Sequence, residues 1–181
     1  MYWAEDEPRD QDVPPGRRVV ATAGFAVLRS WRTPPGLGPD GTVDAESLRA
    51  WVTEARRLAS ASGRPATGDC TIGMVLAYVP PGSDGLWPAE PVRDLIEDLQ
   101  SPAFENGLRS GKLNSRGLVW SSPADGGIQE RDFAAQFRAW AERVADGWHR
   151  TAALLRQLAD TYDEWAQRED DRSEDFADEG P

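Results

Sequence analysis

Apolar residues recur every three or four positions along most of the chain, which is the spacing of one helical face. The pattern is clearest in the last third. In "IQERDFAAQFRAWAERVA" it sets Phe133, Phe137, Trp140 and Val144 on one stripe. In "HRTAALLRQLADTYDEWAQRE" it sets Thr151, Leu155, Leu158, Tyr162 and Trp165 on another. Only "DGW" at 146–148 separates the two. The expectation is a hairpin of two long amphipathic helices over 128–167.

Upstream, "AESLRAWVTEARRLASAS" repeats the helical period with Leu48, Trp51, Val52, Ala55, Leu58 and Ala59 on one face. Asp44 precedes it as an N-cap, Glu46 sits in its first turn, and Gly63 with Pro65 ends it. A further helix starts at "SPAFENGLRSG", with Ser101 as N-cap and Pro102 at the first helical position, and stops at Gly111. "KLNSRGLVWSSPADGG" follows as an irregular stretch. The segments 19–31 and 70–79, "VVATAGFAVLRSW" and "CTIGMVLAYV", are mostly apolar. The positions Val20, Gly24, Val27 and Trp31 fit a helix, and a buried strand competes in both segments.

One stretch is written twice. "GPDGTVDAESLR" at 38–49 returns forty-four residues later as "GSDGLWPAEPVR" at 82–93, with six of twelve positions identical. An apolar segment precedes each copy and a helix follows it. Leu48, Trp51 and Val52 correspond to Val92, Leu95 and Ile96. A period of this length is typical of two-helix solenoid repeats of the HEAT or armadillo type, whose units bury their apolar faces only by stacking. The expected fold is therefore mainly α: helix–loop–helix units over about 17–62 and 68–100, then the C-terminal hairpin. If the apolar segments are strands, the same repeat becomes two βα units in an α/β fold.

The ends differ from the body. Residues 1–16, "MYWAEDEPRDQDVPPG", read as an extended acidic, proline-rich arm. Residues 168–181, "REDDRSEDFADEGP", read as a disordered acidic tail. Between them a single helical domain over 17–167 is expected.

Composition narrows the function. The 181 residues carry a net charge of −11, which argues against binding the phosphates of nucleic acid or an anionic membrane surface. Nineteen of the twenty basic residues are arginine, and the other is Lys112. No stretch is apolar enough to cross a bilayer, and the N-terminus lacks the apolar core of a signal peptide, so a cytoplasmic protein is expected. A single cysteine, Cys70, allows no internal disulfide and no cysteine zinc site. A single histidine, His149, allows no histidine metal site. No phosphate-binding glycine loop is present, and neither metal nor cofactor is expected.

Candidate binding residues remain. Glu46 with Arg49 and Glu90 with Arg93 recur at equivalent places. In a solenoid, equivalent positions line one surface, where a partner binds. Lys112, Asn114, Ser115 and Arg116 lie in the expected 112–117 loop and offer hydrogen bonds and charge for an anion. Trp87 and Trp120 lie outside clear helices and are candidate anchors. The leading expectation is a non-enzymatic domain that binds another protein or its own copy, as a module or subunit of a larger bacterial assembly. A small-molecule or peptide sensor using the 112–117 loop is the second. An enzyme working with carboxylates alone is the third.

Overall fold

The computed structural model describes residues 33–115 and 127–178, with side chains through 173. Among these residues the chain is mainly helical and forms no strand. The helices are α1 (Ala45–Ala61), α2 (Pro65–Leu76), α3 (Glu90–Leu99), α4 (Pro102–Ser115), α5 (Ile128–Val144) and α6 (His149–Asp178). The mainly-α expectation holds. At 70–79 the helix wins over the strand through Leu76, so the βα reading fails there. The segment 19–31, the arm over 1–16, Arg116 and Trp120 lie outside the described residues.

Local signals place the helix ends. Asp44 Oδ1 accepts the Ser47 amide at 2.7 Å and caps α1. Gly63, at φ +70°, ends it in a Schellman turn. The Gly63 amide donates to Ser60 O at 3.0 Å and the Arg64 amide to Ala59 O at 2.9 Å. Pro65 then opens α2 at a position that needs no amide donor. Ser101 caps α4, its hydroxyl accepting the Phe104 amide at 3.3 Å.

The repeated stretch forms the same turn twice. In each copy the first glycine's amide donates to the carbonyl four residues on: Gly38 to Thr42 at 2.8 Å and Gly82 to Leu86 at 2.9 Å. The second glycine's amide donates back to the first, Gly41 to Gly38 at 3.1 Å and Gly85 to Gly82 at 2.9 Å. Gly41 and Gly85 take φ of +82° and +75°, which a side chain would resist. Each aspartate accepts an amide two residues on, Asp40 from Thr42 at 3.0 Å and Asp84 from Leu86 at 2.9 Å.

The chain divides into two compact units. The first holds the described part of Met1–Pro80 and Ser101–Gly111. In it, Leu48 and Val52 of α1, Ile72, Val75 and Leu76 of α2, and Phe104 and Leu108 of α4 are buried. Glycines let α2 and α4 approach closely. A methyl on Gly107 would strike the Cys70 carbonyl, and one on Gly73 the Phe104 carbonyl. Gly111 packs in the same way against Met74 and Ala77. It therefore does not end α4, which was expected to stop there. A glycine ends a helix from the left-handed conformation, and Gly111 stays helical and serves packing.

The second unit holds Pro81–Gln100 and the described part of Lys112–Pro181. Helices α5 and α6 form the expected hairpin. Phe137 and Val144 on α5 and Leu155, Leu158 and Tyr162 on α6 are buried, and Phe137 stacks on Tyr162 at 5.6 Å between ring centroids. The acidic tail expected from residue 168 is helical as far as Asp178. Arg172 pairs with Glu169 one turn earlier at 2.8 Å, and Gln167 donates to Asp171 at 2.8 Å. Asp170 accepts the Gly127 amide at 2.9 Å and pairs with Arg131, tying this part of α6 to the start of α5.

Candidate functional site

The two arginines of the repeat have opposite surroundings. Arg49 is exposed on α1. Arg93 is fully buried on α3, and its donors are consumed by the loop that precedes it. Nε donates to Pro88 O at 2.6 Å, Nη1 to Asp84 Oδ2 at 2.7 Å, and Nη2 to Asp84 Oδ1 at 2.9 Å and Leu86 O at 2.7 Å. The guanidinium also lies 5.1 Å from the centre of the Trp148 ring. The expectation of one binding surface shared by Arg49 and Arg93 is therefore corrected. Arg93 holds a turn shut, because the core covers α3 where solvent meets Arg49. Its guanidinium holds the Asp84 carboxyl down at about 2.

The expected 112–117 loop is also corrected over its described part, 112–115. Lys112, Asn114 and Ser115 stand on the last turn of α4. Asn114 and Ser115 are exposed, and the Ser115 hydroxyl donates to the Lys112 carbonyl at 2.7 Å. Lys112 turns away from solvent. Its Nζ lies 4.6 Å from the centre of the Trp87 ring, and burial lowers its pKa from the ordinary lysine value. Trp87 is no exposed anchor: it is fully buried, with its edge against Phe137 at 6.3 Å. Its Nε1 is a buried donor without an acceptor among the described residues.

Two polar clusters were not anticipated. Asp69 lies buried near the start of α2, where Arg56 of α1 grips it at 2.8 and 3.1 Å and the Ser101 hydroxyl donates to it at 2.7 Å. One carboxylate thus ties α1, α2 and the cap of α4. The signal was a lone acid in an apolar run, "GDCTIGMVL", which has to find a cation if it is buried. In the second unit, Glu97 of α3 caps α6. It accepts the Arg150 amide at 3.1 Å, the Thr151 amide at 2.9 Å and the Thr151 hydroxyl at 3.0 Å. Asp94, one turn earlier, accepts Trp148 Nε1 at 2.8 Å. Nothing local marked either acid.

A groove of about 330 Å³ lies between α1 and α2 in the first unit. Trp51, Ala55 and Ala59 form one wall, and Thr71, Ile72 and Val75 the other. Gly68 sits so close to Ala59 that it floors one end. The face of α1 expected to be core is thus half open: Leu48 and Val52 are buried, Trp51, Ala55 and Ala59 are partly exposed, and Leu58 is 52% exposed.

Among the described residues no group of three His, Cys, Asp or Glu side chains is placed to hold a metal ion. His149 is exposed at the first position of α6. Burial raises the Cys70 thiol above its usual range, which opposes the thiolate a nucleophile needs. No helix is long and apolar enough to cross a membrane. No family model, no curated protein and no solved structure matches the chain.

Proposed function

We propose that the chain is a non-enzymatic helical protein–protein interaction domain, a cytoplasmic module or subunit of a larger bacterial assembly. Its partner is another protein or a second copy of itself. The observation that supports this reading is the open apolar groove between α1 and α2. An apolar strip on one helix face, left uncovered beside a second helix, suits an amphipathic segment laid into it. Trp51 supplies the kind of large aromatic wall that anchors such contacts. The internal polar groups support the same reading from the other side. Asp69, Arg93 and Glu97 are all engaged in holding helices and turns.

Affinity capture of the full chain from its host lysate tests this, with sedimentation velocity for self-association. Ala55→Glu and Thr71→Glu place charges in the groove without touching the buried core. The expected result is one stoichiometric partner, or a dimer, lost in both variants while their helical circular dichroism is unchanged. A monomer that retains nothing overturns the reading. Equal capture by the variants overturns the groove as the surface.

A further inference from the structure

Lys112 is the only lysine in a chain that uses arginine at its nineteen other basic positions. The two side chains differ in one respect that matters here. Arginine keeps its proton in proteins, whereas a buried lysine gives it up readily. The one lysine stands at a place where that difference counts. Its Nζ rests 4.6 Å from the centre of the Trp87 ring, in mostly buried surroundings that still leave part of the side chain open. Among the described residues no carboxylate pairs with it, although the chain carries 31 acids. Every other buried charge described above is held by an opposite charge or by several hydrogen bonds. Among the described residues Lys112 has the face of an indole and no carboxylate.

We propose that Lys112 is a reactive amine and a site of acylation by activated acyl donors such as acyl phosphates. The free amine attacks the acyl carbon with its lone pair. A carbon–nitrogen bond forms, the carbon–oxygen bond to phosphate breaks, and phosphate leaves with that electron pair. The amine's proton goes to solvent. The product is a neutral amide, which removes a charge that no described carboxylate balances. Burial supports the same direction, because it favours the neutral, nucleophilic form of the amine at the start. The inference does not depend on the interaction-domain reading.

The test uses the full chain and acetyl phosphate near neutral pH, followed by intact mass and peptide mapping. Lys112→Arg identifies the adduct at this position. The rate at Lys112 is compared with that of Nα-acetyl-lysine amide in the same solution, and with the urea-unfolded chain. The expected result is a native rate several-fold above both references. A native rate equal to or below either one overturns the proposal, because the fold then gives the amine no advantage.

Discussion

Arg93 grips both carboxylate oxygens of Asp84, the residue nine positions earlier that shapes the turn before its helix, at 2.7 and 2.9 Å. The other copy of the turn is built on the same backbone hydrogen bonds, but among the described residues its aspartate takes Thr42, through the amide and the hydroxyl. The same twelve-residue pattern is therefore closed by an ion pair to a buried arginine in one place and by a local turn in the other.

That contrast sets the first prediction. Arg93→Ala leaves a buried void and strips two carbonyls and a carboxylate of their donor. It is expected to cost about 2–5 kcal/mol, from the void and from the two carbonyls left without a donor. Arg49→Ala, on the exposed face of α1, is expected to stay within about 0.5 kcal/mol. Urea unfolding of the two variants checks this, and equal midpoints overturn it.

The same pair makes the fold sensitive to acid in a defined window. The Asp84 carboxyl is held at about 2, against an ordinary value of 3.8. A depressed folded value means that the unfolded chain takes up the proton first. The pair's contribution is therefore complete above pH 4, falls as the pH drops toward 2, and is gone below that. Asp84→Asn is expected to lose this dependence and to be less stable than wild type at pH 7. Thermal melts at closely spaced pH values from 2 to 6 measure it.

The α2–α4 contact depends on glycines for closeness. Gly73→Ala and Gly107→Ala each drive a methyl into a backbone carbonyl of the other helix, and neither backbone can yield without separating the pair. Each is expected to cost about 1–3 kcal/mol or more by overpacking. Gly147→Ala meets nothing within 4 Å and has no left-handed backbone, so it is expected to be neutral. The three melting temperatures, compared side by side, decide it.

Glu97 is expected to matter as much as a local cap although it comes from another helix. Removing its carboxylate frees the Arg150 and Thr151 amides and the Thr151 hydroxyl at the positive end of α6. Glu97→Ala is expected to cost about 1–2 kcal/mol. Faster hydrogen exchange at the amides of residues 150 and 151, with little change near residue 158, is the signature of a lost cap.

What could be read from the chain alone was what is local. Turn geometry is set by Gly and Asp within five residues, so both copies were legible down to their roles. The caps at Asp44 and Ser101 and the stripe through Phe137, Leu155 and Tyr162 follow from short spacings in the same way. The burial of Arg93 was not legible, because Arg49 stands in the same local pattern and differs only in what covers it. Asp69, Arg56 and Ser101 lie 13 and 32 residues apart along the chain, so no window of helical length contains their cluster. Gly111 was misread because a glycine's local meaning, the end of a helix, was overridden by a distant contact at Met74 and Ala77.

Lys112 carries the last prediction. Its ammonium is held against Trp87 and disfavoured by burial, so the folded chain releases the proton at a lower pH than the unfolded chain. Between that lowered value and the ordinary one near 10.5, the unfolded state holds more protons, and stability rises with pH. Lys112→Met keeps the apolar stem on the indole face and removes the charge. It is expected to raise the melting temperature at pH 7 by about 2–4 °C, the shift that about 1 kcal/mol produces in a chain of this size. It is also expected to erase the alkaline gain. A lower melting temperature in Lys112→Met would mean that attraction between the ammonium and the ring outweighs the burial penalty, and the order of the two effects would be reversed.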